Sequence, residues 1–116
     1  LHETGRLGRR DLAAAHRWYE AAAERGSTEA QVEAGTAYYL GRGAPKSASQ
    51  AAGWYLKAAR GGDVGAMYLI ASMYEQGDGV VRDLEAARHW YAQAAGLGDR
   101  LAAAKVVQLE AALEAL

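Results

Sequence analysis

The sequence predicts an all-α fold, an α/α solenoid of helical hairpins, and three observations predict it. The three tryptophans, Trp18, Trp54 and Trp90, are spaced 36 residues apart, and each is followed by a tyrosine, Tyr19, Tyr55 and Tyr91. Gly26, Gly62 and Gly98 recur at the same interval, as do Gly5, Gly41 and Gly77. Between these marks the apolar residues fall at helical spacing. A fixed period of this length is the signature of stacked supersecondary units, each burying its apolar face against the next.

The elements follow in order. The Leu1 to Arg10 stretch carries Gly5 and Gly8, and His2 stands in register with Tyr38 and Tyr74. It reads as the end of a helix that is mostly missing. The chain starts at Leu1 rather than Met and is expected to be a piece of a longer protein, truncated at its N-terminus. Asp11, Ser47 and Asp83 are expected N-caps, since a side-chain oxygen there accepts a bond from an otherwise unpaired helix N–H. Ser47 with Gln50 makes a candidate capping box.

From each cap runs a helix with an apolar stripe: Leu12, Ala15, Tyr19, Ala22 and Ala23, then Ala48, Ala51, Tyr55, Ala58 and Ala59, then Leu84, Ala87, Tyr91, Ala94 and Ala95. Gly26, Gly62 and Gly98 stop these helices, and Ser27, Asp63 and Asp99 start the next at once, which is a tight helix–turn–helix. The partners span 28–40, 64–76 and 100–116. The first two of these end at Gly41-Arg42-Gly43 and Gly77-Asp78-Gly79, longer loops, with Pro45 after the first. The third has Leu113 and Ala115 instead of loop glycines, so the last helix is expected to run to Leu116. The tally is six helices, about two and a half 36-residue hairpins. The chain is one domain, with units at 1–26, 27–62 and 63–98 and a capping helix at 99–116.

Composition fits a scaffold. The chain has 116 residues, half of them apolar by count, rich in Ala and without Phe. Net charge is −1, which gives no electrostatic case for a nucleic-acid partner. There is no Cys, so disulfides and thiolate metal sites are excluded. No apolar run reaches the length needed for membrane insertion.

The repeat resembles the Sel1-like repeat, a relative of the tetratricopeptide repeat. The residues that carry the resemblance are Ala30, Gly35, Tyr38, Gly41, Gly43, Ala51, Trp54, Tyr55, Lys57, Ala58, Ala59 and Gly62. The next unit answers with Ala66, Met73-Tyr74, Gly77, Gly79-Val80, Asp83, Ala87, Trp90-Tyr91, Ala94-Ala95 and Gly98. The resemblance implies a right-handed superhelix and a role in protein–protein contact, often in bacterial signalling or envelope assembly. Its location would be the bacterial cytoplasm or periplasm. Two departures stand out. Gly35 becomes Ala71 and then Val107, which should loosen helix approach toward the C-terminus. Leu7 stands where the later units have a second loop glycine.

No catalytic constellation emerges. His2, His16 and His89 share no register and show no metal-ligand spacing, so they read as solvated helix residues. The glycine loops lack the strand and the Lys-Ser/Thr pair of a phosphate cradle. No nucleophile motif, cofactor site or metal site is expected. The Trp and Tyr registers read as packing between hairpins, with the tyrosine hydroxyls reaching solvent. Arg6, Arg9, Arg10, Arg17 and Arg25 read as a basic solvated face.

Residues that vary between repeats on the helices without the Trp-Tyr pair are the informative ones, because the scaffold does not dictate them. They define an expected partner-binding groove of Val32, Glu33, Thr36, Tyr39, Tyr68, Ser72, Glu75 and Gln76. The expected function is a non-catalytic adaptor holding a protein or peptide segment there. The alternative is a glycan or peptidoglycan-fragment binder that uses the tyrosines with Glu33 and Glu75.

Overall fold

The computed structural model describes the backbone from His2 to Leu116 and the side chains from Leu12 onward, Tyr19 excepted. It contains α1 (His2–Glu24), α2 (Thr28–Leu40), α3 (Ala48–Arg60), α4 (Val64–Gln76), α5 (Leu84–Gly96) and α6 (Arg100–Glu114), with no strand among the described residues. Each helix packs on its neighbour in sequence. The product is elongated, 56 × 24 × 22 Å. Its radius of gyration is 16.0 Å, against about 13 Å for a compact domain of this length.

The helix ends are set by local chemistry. Ser27, Ser47, Asp63, Asp83 and Asp99 each accept from the backbone N–H three residues on. The capping box at Ser47 is only half made. Gln50 N–H donates to Ser47 Oγ, but the Ser47 N–H donates to the Tyr38 carbonyl at 2.8 Å and does not need the Gln50 side chain. Asp83 N–H repeats this with Tyr74 at 2.9 Å, so each long loop closes on the same point of the preceding helix. Gly26, Gly62 and Gly98 have φ of 97°, 99° and 102°, the left-handed conformation expected of them.

The N-terminus differs from expectation. α1 runs as a continuous helix from His2, so Asp11 lies within it and caps nothing. Glycine inside a helix costs about 1 kcal/mol and does not forbid it. The glycines that do break helices here are fixed by loop bonds and tertiary contacts. The side chains of His2, Arg6, Leu7, Arg9, Arg10 and Asp11 lie outside the described residues. At the other end α6 stops at Glu114, two residues short of the chain end.

The core runs along the middle of the stack. Ala51, Tyr55, Ala58 and Ala59 of α3 meet Ala66, Ile70 and Ala71 of α4, and Ala87, Tyr91 and Ala94 of α5 continue the cluster. The Trp-Tyr pair divides the work unexpectedly. Tyr91 is fully buried and Tyr55 nearly so, while Trp54 and Trp90 are only partly covered and Trp18 is 64 % exposed. Adjacent helical residues point about 100° apart. The tyrosine falls at the centre of the Ala-lined stripe. The tryptophan falls at its flank, where Trp54 reaches across to Ala23, Ala30 and Ala34 of the first hairpin.

Gly35 shows how closely α2 and α3 approach. A Cβ there would lie 2.9 Å from ring carbons of Tyr55. Gly43 and Gly79 are tighter still: a Cβ would collide with the carbonyls of Leu12 and Ala48. Leu7 holds the same register within α1 rather than in a loop.

Candidate binding groove

α2, α4 and their following loops form two depressions related by the repeat. The first is about 240 Å³, lined by Glu33, Thr36, Ala37 and Arg42 together with Leu12, Ala15 and His16 of α1. The second is about 100 Å³, lined by Leu69, Ser72, Met73 and Asp78 together with Tyr39, Tyr55 and Gln76. Glu33 and Leu69, Thr36 and Ser72, Ala37 and Met73, and Arg42 and Asp78 are each 36 positions apart. One backbone shape is thus lined twice with different chemistry. An Arg in the first loop becomes an Asp in the second, and a carboxylate on the helix becomes a leucine.

Tyr39 bridges the second depression. Its ring lies 37 % exposed, and its hydroxyl donates to Asp78 Oδ2 at 2.6 Å. That bond to a carboxylate raises the pKa of the phenol, since losing the proton would set two anions side by side. Below it the Tyr55 hydroxyl pairs with Thr36 Oγ1 at 2.8 Å.

The eight residues expected in the groove separate into four groups. Tyr39, Ser72 and Gln76 converge on the second depression, and Glu33 and Thr36 line the first. Val32 and Tyr68 are partly buried against the core, with Tyr68 edge-on to Tyr91 at 5.2 Å. Glu75 is a clasp. It accepts from the Tyr91 hydroxyl at 2.9 Å and pairs with Lys105 Nζ at 3.2 Å, tying α4 to α5 and α6. Burial, and then this carboxylate, push the Tyr91 phenol strongly up.

Leu69 also varies between repeats and is among the informative positions, but sequence reasoning missed Met73, Arg42 and Asp78. The loop residues carried a usable signal, since these loops close through backbone N–H groups, and a side chain that changes from Arg to Asp between them is not what closes them. It also misread His16. That side chain is 6 % exposed, not solvated. Its Nε2 lies 2.8 Å from Glu20, its ring stands edge-on to Tyr38, and the Tyr38 hydroxyl donates to the same Glu20 carboxylate. Burial and Glu20 together raise the Tyr38 pKa. The four-residue spacing of His16 and Glu20 was the available clue. His89 is exposed, and its ring lies edge-on to Trp90 at 5.1 Å. Among the described residues no three His, Asp or Glu side chains gather where a metal could sit, and no helix is long and apolar enough to cross a membrane.

The family model for the Sel1 repeat matches residues 1–27, 28–63 and 64–99. The chain belongs to the Sel1 repeat family. Solved structures agree. A Sel1 repeat protein from Oxalobacter formigenes is 37 % identical over 79 % of this chain and 69 % of its own, with a TM-score of 0.75. The protein c5321, a protective antigen of uropathogenic Escherichia coli strains with an SLR fold, is 33 % identical with a TM-score of 0.81. It matches 84 % of this chain, which spans only 21 % of that protein. The cysteine rich protein B of Helicobacter pylori is 25 % identical over 77 % of this chain and 67 % of its own, with a TM-score of 0.73. No curated protein matches. Sel1 repeats are generally protein-interaction scaffolds and are typically not enzymes. The two full repeat units matched here are α2–α3 and α4–α5, and the two depressions lie on the first helix of each.

Proposed function

We propose that this chain is a non-catalytic adaptor that holds a segment of another protein along α2 and α4. The seat is the depression between Tyr39, Leu69, Ser72 and Gln76. One observation carries the reading: two depressions share a repeat register and a backbone shape, yet their linings differ in charge and polarity. Packing would not require that difference; recognition of a particular partner would. Tyr39 offers a partly exposed ring at low entropic cost with its hydroxyl already fixed, the kind of residue that dominates interfaces. Leu69 and Met73 supply apolar floor, and Asp78 and Gln76 supply polar edges. The solved relatives are bacterial, and the role proposed in such an organism is the signalling or envelope assembly that the repeat resemblance implies. The glycan alternative uses Glu33 and Glu75 as polar contacts beside the tyrosines, and Glu75 is already engaged by Tyr91 and Lys105.

The test is affinity capture of a partner, followed by titration with wild type and with Tyr39→Ala plus Gln76→Ala. Both positions are exposed, so the helical content should not change. Affinity should fall at least about tenfold, as for a central interface residue. An unchanged affinity in a folded double variant would remove the groove as the site.

A further inference from the structure

The second depression is apolar at one end and acidic at the other. Leu69 and Met73 stand one turn apart on α4 and form its floor, and Asp78 follows two residues beyond the end of that helix. Asp78 is the only charged residue among those lining it. The first depression is different, since Glu33 and Arg42 both line it and their charges offset each other. Among the described residues Asp78 makes no ion pair. Its side chain has one partner, the neutral Tyr39 hydroxyl, and that bond uses Oδ2. An ionised carboxylate accepts at both oxygens, so Oδ1 is left to take a donor.

A second source of negative potential meets this carboxylate. Tyr39 lies in the last turn of α2 and Asp78 just past the end of α4, so the bond between them holds the two helix C-termini together. A helix C-terminus carries roughly half a negative charge, which a basic residue in the last turn offsets. Lys57 and Arg60 do this for α3, while α2 and α4 have no basic residue in their last turns. Arg82 meets the end of α4 at the Glu75 carbonyl and does not line the depression.

We infer, on the reading that this depression is the seat, that the partner segment places a lysine in it. The alkyl stem lies along Leu69 and Met73 beside the Tyr39 ring, and the ammonium reaches Asp78 Oδ1. A long cationic side chain buries its stem on apolar surface and keeps its charge at a polar edge. The Ser72 hydroxyl and the Gln76 carbonyl line the same hollow and offer further acceptors to an ammonium with three donors. The hollow is about 100 Å³, below the roughly 300–1,000 Å³ of a small-molecule site, so it takes a single side chain. Lysine suits it better than arginine. With Oδ2 taken, one free oxygen matches a point charge, whereas a guanidinium fork pairs with two.

The experiment is selection of a displayed, randomised peptide library on the purified 116-residue chain, followed by titration of the selected peptides. They should share a lysine at one position. Replacing that lysine by methionine keeps the stem and removes the charge, and affinity should fall at least about tenfold. Asp78→Asn should weaken the lysine peptide equally, and the two changes together should cost no more than either alone. Asp78→Lys should repel the lysine peptide and accept its lysine-to-glutamate form. The loop around Asp78 closes through backbone N–H groups, so both variants keep the fold, which circular dichroism checks. Should Asp78→Lys lose helix, the Asp78→Asn cycle decides alone. Tyr39→Ala plus Gln76→Ala separates the lysine from the seat. Peptides weakened by that double variant that share no lysine, that prefer arginine there, or that ignore Asp78→Asn overturn the lysine and leave the seat standing. Peptides that bind the double variant unchanged, or a selection that enriches none, would remove both.

Discussion

The hairpin α1–α2 and the hairpin α3–α4 share one backbone plan and fill it differently. Where α3–α4 has Ala52, Leu56 and Met67, α1–α2 has His16, Glu20 and Gln31. The later hairpin is apolar at these positions. The earlier one buries an imidazole and an amide, and His16 Nδ1 and Gln31 Oε1 have no hydrogen-bond partner among the described residues. Burying a polar atom without a partner costs about 1–3 kcal/mol. The repeat therefore fixes chain path more firmly than it fixes stability, and the first hairpin should be the weaker of the two. In an array coupled only between neighbours, that difference stays local.

The largest expected effect lies on the apolar side of this comparison. Tyr91→Ala should cost about 3–5 kcal/mol, as for other buried aromatics, and it also strips Glu75 of its donor. Out of the roughly 6–17 kcal/mol expected of a domain this size, that is visible in any denaturant titration. A loss below about 1 kcal/mol would mean that Tyr91 is not the keystone of the C-terminal hairpins.

Exchanging the fills comes next. Met67→Gln should cost about 2–3 kcal/mol by placing an amide in an apolar site. Gln31→Met should be neutral or stabilising by about 1 kcal/mol, since it removes an unpaired oxygen while giving up one bond to the Ala23 carbonyl. Equal losses in both directions, measured by urea unfolding, would show that the two hairpins are energetically alike after all.

Alkaline pH provides a third comparison. Burial raises the phenol pKa values of Tyr55 and Tyr91 above the ordinary 10.0, so the folded state holds these protons longer than the unfolded chain does. Their contribution to stability is fully present below about pH 10 and is lost as pH rises from there through the folded values. The denaturation midpoint should hold steady from about pH 8 to 9.5 and fall beyond about pH 10. A flat profile to pH 11 would contradict the burial of these hydroxyls.

The smallest effect is at Trp18. Trp18→Ala should cost clearly less than Trp54→Ala, since its side chain is 64 % exposed. Trp54→Ala should cost about 2 kcal/mol, because its ring is partly covered by the preceding hairpin. Equal costs would mean that exposure does not rank the two tryptophans.

Much of the fold was legible because helix ends are written in short-range chemistry. Five side-chain caps and the glycines after α1, α3 and α5 can be read without tertiary knowledge, and α2 and α4 begin and end where those signals put them. The start of α1 was not, because Gly5 and Gly8 look like the glycines that break the later helices. What makes Gly41 and Gly77 breakers is the pair of loop bonds beside each, Arg42 or Asp78 N–H and Ser47 or Asp83 N–H onto the preceding helix. The depths of Trp and Tyr were misjudged because periodicity shows that both face the stack but not which stands at its centre. Of the residues picked by variation between repeats, Tyr39, Ser72 and Gln76 line the second depression and Glu33 and Thr36 the first. That variation could not separate those from Val32 and Tyr68, which vary just as freely while packing inward. Nor could it foresee that Glu75 meets a lysine thirty residues away.

Gly43 and Gly79 hold one more consequence. Each brings its loop against a bare carbonyl of the helix one hairpin earlier, with no room for a side chain between. They act as gauge blocks, setting by contact of main chain on main chain how far one unit stands from the next. A methyl group at both would lengthen the step along the array and open its curvature. The two depressions would then move apart together, and an extended ligand fitted to their present spacing would fall out of step with them. The spacing of the two depressions is thus set at two points where side chains are missing.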